Sequence, residues 1–291
     1  MHLTLLSRRA GIYTTRRLAE AARLRGARVR VIDPLLVQLH LGAGPEALFK
    51  GKPLPKTDAV IPRIAPSIQS YGLAVLEHFA LLGVPALNPA PAIESSRNKL
   101  RTLQLLAQGG VPVPRTVMAS NARGLREMVA LVGGPPVLIK LVTPGERPGV
   151  MVCETLQSME AALEAVLAMG HDLLVQPYVR RRRERDLRAL VVGDEAVCWV
   201  ERRAKPGRLL LTLARGARLR AVKVPEALDA LAVRAAAVLG LRVAAVDILE
   251  GDEGPRVFDL HSSPGLQRLE AATGRDLALP VIAAAEALAR G

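Results

Sequence analysis

Aromatic side chains are almost missing from this chain, with three Phe, three Tyr and one Trp in 291 residues. Single-stranded nucleic acid is usually held by bases stacked on aromatic platforms, so that partner is not expected, and the core has to be aliphatic. Cysteine is as scarce. Cys153 and Cys198 are the only two and both sit inside apolar runs, which excludes a disulfide framework or a cysteine zinc site and reads as reduced core thiols in a cytosolic protein. Long apolar runs are missing too. The longest weakly charged stretch, 78–93, is broken by Gly83, Pro85, Pro89 and Pro91, so it cannot cross a bilayer as one helix. The apolar part of MHLTLLSRRAG is too short for a signal peptide and has no small-residue cleavage site after it. A soluble, cytoplasmic protein with no membrane partner is expected.

What is present is ample core material, 50% apolar against 23% charged residues, in a length that suits two or three packed units. Lys and Arg number 40 and Asp and Glu 27, a formal charge of +13. A field of that sign draws in phosphates, nucleic acid, an anionic membrane surface or an acidic peptide. With few aromatics and no helix-turn-helix or finger motif, direct nucleic-acid binding is the least favoured of these.

Strand and helix signals alternate over the first ninety residues. Stretches 3–6 and 29–32 read as strands, and between them lies a helix that Thr14 or Thr15 caps and Gly26 stops. A strand over 59–61 and a helix over 67–82 complete a small parallel-sheet α/β unit. Asn88-Pro89-Ala90-Pro91 marks its boundary. A helix through 99–107 follows, then strands over 137–140 and 150–153, a helix over 159–169 and a strand over 173–176. Strands dominate from there to 222, which makes the rest α+β. The expected divisions are 1–90, 91–176 and 177–291.

Residues 244–265, AAVDILEGDEGPRVFDLHSSPG, carry the most chemical information. Two strand-like pieces flank a turn-rich 250–255, and a hairpin centred on Glu253 sets Asp247 directly opposite Asp259, with Val246 and Ile248 facing Leu260 and Phe258. Opposed positions bring Cβ atoms to about 4.5–5.5 Å, where two carboxylates repel unless a cation lies between them. His261 falls on the face of Asp259 by the two-residue period of a strand. Such a pair suits a magnesium ion bridging nucleotide phosphates, because that hard ion takes oxygen ligands. The plainer alternative is a solvated acidic face that keeps the hairpin soluble.

Residues 135–153, PPVLIKLVTPGERPGVMVC, hold a strand that delivers Lys140, a loop with Gly145 and Gly149, and a returning strand. This is either a phosphate-covering hairpin or an ordinary surface one. It is no Walker motif, and Pro144 and Pro148 remove two amide donors. Lys99, in SRNKLRTLQLL, is a solvated lysine on an amphipathic helix unless something else recruits it. Asp186 and Arg188 share one side of a strand over 186–192, and Glu201, Arg202, Arg203 and Lys205 end the next, which reads as a surface ion-pair network. The arginines of 180–185 read as a solvated loop able to steer an acidic substrate.

Taken in order, AVIPRI (59–64), NKLRTLQLLAQGGVPVP (98–114), the Lys140 strand, LVVGDE (190–195), ERRAKPG (201–207), AAVDIL (244–249) and SSPGL (262–266) resemble the RimK-type branch of the ATP-grasp carboxylate-amine ligases, over nearly the whole chain. The resemblance implies an α/β plus α+β architecture, in which a pre-ATP-grasp parallel-sheet domain precedes two subdomains that clamp ATP. It implies phosphorylation of a carboxylate to an acyl phosphate and attack on it by an amine. In this branch glutamate is added to a peptide C-terminus or to another glutamate. The implied partners are therefore a glutamate-like amino acid and a peptide or protein acceptor, with ATP and magnesium or manganese as cofactors, in a homo-oligomer.

Residue by residue, the resemblance makes Lys99 and Lys140 phosphate ligands and places Gln176, Tyr178, Asp186 and Thr212 around the nucleotide. Asp247, Asp259 and His261 become metal ligands, and Arg203 and Arg215 catalytic residues. There are departures. Asp259 is one methylene shorter than the usual bridging glutamate, and His261 replaces an asparagine with an imidazole, which suits manganese or zinc better than magnesium. Pro177 stands where the family has an adenine-side glutamate, and Leu210 and Thr212 where it has arginine and asparagine near the transferred phosphate. The segment 214–217 lacks a histidine and a glycine. The alternative expectation is a non-catalytic descendant that binds a nucleotide or an acidic partner.

Overall fold

In a computed structural model, which describes residues 1–119, 124–142, 149–168, 172–178, 185–203, 217–251 and 253–291, β1 (His2–Leu6) runs between β2 (Arg28–Ile32) and a later strand, β6 (Ala59–Pro62), both parallel to it. This is the parallel sheet that strand and helix alternation predicts. The central strand is almost wholly buried, with Leu3 and Leu5 on one face and Thr4 and Leu6 on the other, whereas β2, at the edge, alternates Arg and Val. The crossover helix α1 (Tyr13–Leu24) has no side-chain cap, contrary to expectation. Thr14 and Thr15 instead lie in its first turn and face inward. Thr15 Oγ1 pairs with Ser7 Oγ at 2.9 Å, and Thr14 Oγ1 accepts from the Leu266 N–H at 3.0 Å.

Between β2 and β6 an antiparallel sheet of β3 (Val37–Leu41), β4 (Pro45–Phe49) and β5 (Lys52–Pro53) is inserted, which the sequence pattern does not announce. Its second turn uses Lys50 at φ 53° and Gly51 at φ 74°, the left-handed pair of a two-residue hairpin loop. Helix α2 (Gln69–Leu81) follows β6. The proline-rich boundary begins a helix rather than a linker. Pro91 occupies the first turn of α3 (Ala90–Arg97), where its missing N–H costs nothing. Asn98 then ends α3 and caps α4 (Lys99–Gln108), its Oδ1 accepting from the Arg101 N–H at 3.0 Å.

The central sheet is antiparallel, in the order β7 (Val117–Ala119), β10 (Asp172–Pro177), β8 (Val137–Val142), β9 (Val150–Cys153). Val137, Ile139, Leu173 and Val175 bury one face in a core shared with Met159 and Leu163 of α6 (Leu156–Ala168) and Val129 of α5 (Leu125–Leu131). By alternation, Leu138, Lys140, Leu174 and Gln176 share the other face. At Gly149 an added Cβ would lie 2.5 Å from the tip of the Leu141 side chain, which would have to shift.

The last sheet is antiparallel too, in the order β13 (Arg218–Ala221), β12 (Glu195–Arg203), β11 (Arg185–Val192), β14 (Val243–Gly251), β15 (Gly254–His261). Ala189, Trp199, Val246 and Leu260 pack on Leu228, Ala232 and Ala235 of α7 (Glu226–Val238). Beyond α8 (Gln267–Thr273), α9 (Ala278–Leu288) returns to the N-terminal unit, where Glu286 receives Arg25 at 2.6 Å. Buried Asn88 stitches the same seam. Its Nδ2 donates to the carbonyls of Val243 and Ser262, and its Oδ1 accepts from the amides of Arg242 and Val243. Among the described residues no helix is long and apolar enough to cross a membrane. Cys153 and Cys198 are buried free thiols.

Candidate active site

The hairpin of β14 and β15 sets Asp247 directly opposite Asp259, as its parity predicts. The expected partner of Ile248 is wrong. A bulge inserts Phe258 beside Asp259, so Ile248 faces Val257, and both of these are fully buried. Phe258 turns instead towards the central sheet, its ring centre 5.8 Å from Lys140 Nζ. The cleft between the two sheets is therefore closed at this point by a lysine over an aromatic ring.

Asp247 is 2% exposed and its carboxylate is held by two guanidinium groups. Arg188, opposite it on β11, donates from Nε to Oδ1 at 2.6 Å and from Nη2 to Oδ2 at 2.7 Å. Arg202 donates to Oδ2 at 2.8 Å and also grips Asp186 in a two-pronged pair, at 2.5 and 2.7 Å. Burial pushes the Asp247 carboxyl up, but Arg188 and Arg202 outweigh it and hold it well below the usual carboxylate range. Burial raises Asp186 to about 6. Lys99, first residue of α4, donates to Asp259 Oδ1. Burial raises Asp259 as well, yet Lys99 and His261 bring it below its ordinary value. His261 Nε2 lies 3.4 Å from Asp247 and 3.5 Å from Asp259. One ligand atom from each of Asp247, Asp259 and His261 falls within 4.8 Å of the others. Two carboxylates and an imidazole at that spacing form a donor set that fits a divalent ion.

Lys140 is on the cleft face of β8 with no carboxylate bonded to it among the described residues, and desolvation lowers its ammonium to about 8. Gln176 shares that face but is buried, with its Nε2 donating to Thr116 Oγ1 at 2.8 Å. Tyr178 follows β10, its backbone N–H donating to the Pro136 carbonyl at 2.9 Å. Arg203 is not brought to the cluster. Strand parity turns Arg202 to the Asp247 face and Arg203 to the opposite one, where its Nε meets Glu201 at 2.6 Å. Thr212, Arg215, Leu210, Pro144, Pro148, Gly145 and the arginines of 180–183 lie outside the described residues.

Arg188 and Arg202 read from sequence as members of a surface ion-pair network, but they are the inner support of Asp247. The only advance signal is that Asp186 and Arg188 share one side of a strand, and its meaning depends on which strands lie beside it.

This arrangement has counterparts. A family model described as the RimK PreATP-grasp domain matches residues 1–93, and one described as the RimK-like ATP-grasp domain matches 96–285. A protein of Sodalis glossinidius named "Probable alpha-L-glutamate ligase" is 43% identical over 288 residues, covering 99% of this chain and 97% of its own. One of Pseudomonas paraeruginosa with the same name is 41% identical over 279 residues, 96% and 93%. Among solved structures, the ATP-grasp ligase PsnB complexed with a minimal precursor superposes with a TM-score of 0.77 at 22% identity, covering 99% of this chain and 98% of that one. A RimK domain ATP-grasp protein of Sphaerobacter thermophilus gives 0.73 at 23%, covering 98% and 99%. The structural likenesses establish the fold, the family matches and the relatives span both parts of it, and the chain belongs to the RimK-like ATP-grasp family.

Proposed function

We propose that this protein is an ADP-forming carboxylate-amine ligase that joins a glutamate-like amino acid to a peptide or protein acceptor. One observation carries the reading. Two lysines from different elements, Lys99 and Lys140, and two directly opposed carboxylates, Asp247 and Asp259, converge on one cleft. Phosphoryl transfer from ATP needs that combination, cations for the phosphates and carboxylates for a divalent ion. The relatives named alpha-L-glutamate ligase support the choice of acid.

In this reading an oxygen of the acceptor's carboxylate attacks the γ-phosphorus, the bond to ADP breaks, and an acyl phosphate forms. The amine of the incoming glutamate then attacks the acyl carbon, phosphate leaves, and the amine loses a proton. Asp247, Asp259 and His261 would hold magnesium or manganese, which neutralises charge on the phosphates. Arg188 and Arg202 keep Asp247 ionised and fixed in one orientation. Lys99 exchanges Asp259 for phosphate when nucleotide enters, and Lys140 meets the phosphates from the facing sheet. Gln176, Tyr178 and Asp186 belong to the nucleotide side. The division at 1–90, 91–176 and 177–291, a cytoplasmic location and a homo-oligomer are parts of the same proposal.

A second reading, a nucleotide- or acidic-partner-binding module without turnover, draws on the saturation of Asp247 and Asp259 by Arg188, Arg202 and Lys99. Measuring ADP release across amino acids and acidic peptides, with magnesium and with manganese, separates the two. Release that requires an acidic amino acid and a divalent ion is expected. Nucleotide binding in a thermal shift with release at background throughout supports the module.

A further inference from the structure

Among the described residues nearly every buried charge has a partner. Glu201 has Arg185 and Arg203, Glu286 has Arg25, and Glu270 has Arg17 and Tyr13. Arg63 is an exception. It follows β6 at the carboxyl edge of the parallel sheet, the edge where open α/β sheets bind ligands. Its backbone N–H is fixed on the Leu6 carbonyl at 2.8 Å. Its side chain lines a small open crevice shared with Ile61, Leu87, Asn88, Ser262 and Pro264. No acid pairs with this guanidinium among the described residues, and desolvation alone lowers it to about 10.

Two more unfilled polar groups lie beside it. Arg97, the last residue of α3, donates from Nη2 to the carbonyl of Ile64, next in the chain after Arg63. Its Nη1 is buried and bonded to nothing. The hydroxyl of Ser263 is buried and unbonded too, and Ser263 lies between Ser262 and Pro264, which both line the crevice. Buried donors without acceptors are rare in folded proteins, and these two, near the half-buried and unpaired Arg63, describe the outline of a missing acceptor. Two guanidinium groups and a hydroxyl match a carboxylate, which takes forked donors in its plane. The walls of Ile61 and Leu87 suit a short methylene chain rather than a sugar or a triphosphate.

We infer that Arg63, Arg97 and Ser263 form a carboxylate subsite that anchors the acidic substrate, Ser263 lying two residues along the chain from His261. Naming the occupant as glutamate rests on the ligase reading, whereas the subsite itself rests on the unpaired donors. Free glutamate and the end of an acidic peptide both offer the required group.

Calorimetric titration of the full chain with L-glutamate and with glutamyl-glutamate, each with and without magnesium and a non-hydrolysable ATP analogue, tests this and identifies the source. The parent is expected to bind at least one acid. Arg63→Gln and Arg97→Gln should each weaken that acid by about 10- to 100-fold, the range for a lost charged hydrogen bond, and Arg63→Lys by less. Affinity for the ATP analogue should not change, which also confirms folding, and Arg97→Gln carries the test if Arg63→Gln does not fold. Glutamate amidated at the carboxyl that the subsite holds should bind the parent as weakly as glutamate binds Arg63→Gln. Failure of both acids to bind the parent, or parent-like affinity in the glutamine variants, overturns the subsite whatever ATP turnover does. Acid binding that depends on Arg63 without ADP release overturns the ligase reading and leaves the subsite standing. ADP release with an unchanged KM for the acid in both glutamine variants does the reverse.

Discussion

Across the cleft, the central sheet contributes the half-buried cation Lys140 and the C-terminal sheet a balanced cluster. Lys140 stands among Leu138, Leu174 and Gln176 with no carboxylate bonded to it among the described residues, and desolvation drives its ammonium down. Asp247 is more deeply placed, yet it stays ionised because Arg188 and Arg202 are bonded to it. Burial therefore does not decide by itself whether a charge survives. Among the described residues one wall of the cleft has no anion bonded to its lysine, and the other has its charges compensated in advance, ready to give up Lys99 when an ion or a phosphate arrives.

Removing the compensation is the hardest test of the contrast. Asp247→Asn leaves Arg188 and Arg202 buried without that carboxylate and takes away a metal ligand. A loss of about 3–5 kcal/mol in denaturant unfolding is expected, together with loss of metal-dependent nucleotide binding. Stability within about 1 kcal/mol of the parent, the value of an exposed pair, would mean that solvent already screens the cluster.

The uncompensated wall responds to pH. In the free protein Lys140 is a cation below about 8 and increasingly neutral above it, and the phosphates bind the cation. Affinity for an ATP analogue should be level below that point and fall by up to about tenfold per pH unit above it. Lys140→Arg should flatten the profile because a guanidinium keeps its proton. A parent profile that stays level to high pH shows that Lys140 does not meet the phosphates.

The smallest effect concerns the softer ligand. Nucleotide binding in the parent should favour manganese over magnesium, and His261→Asn should narrow the preference by a few-fold, since imidazole suits the softer ion. Calorimetry with each metal on both proteins measures it, and equal preferences in the two would place His261 off the ion.

Much of this site is legible in the sequence because a hairpin is a local object. Its turn lies between its strands, so the sequence brings Asp247 and Asp259 together, although the pairs next to the turn would set Asp247 opposite Phe258 and the bulge is what brings Asp259 there, with His261 two residues on along the same side. The Lys140 strand is legible for a similar reason, its apolar neighbours marking it as buried. Arg188 and Arg202 are not, because their value comes from Asp247, 59 and 45 residues further along the chain. The choice between Arg202 and Arg203 is a matter of parity at a strand end, and only the register against β11 settles it. Asn88 looks like turn punctuation in sequence, yet its four bonds reach residues more than 150 positions away. The architecture was easier to read than its margins. Alternation identifies the parallel sheet, whereas β3 to β5 are too short and too mixed to stand out.

The bulge at Phe258 makes the hairpin a device with two phases. From the turn to Val257 the strand counts inward and outward in one sense, and from Asp259 onward it counts in the other. Only that step allows Val257 and Leu260, an odd number of residues apart, to enter the same core while Asp259 stays with Asp247. Side chains here can be exchanged one at a time, each at its own cost. Length is negotiable at one place, because deleting Phe258 would remove the bulge and leave Val257 facing Ile248 and Asp259 facing Asp247 in a regular ladder. The extra residue thus adds a ring towards Lys140 without disturbing the pairing of the two carboxylates.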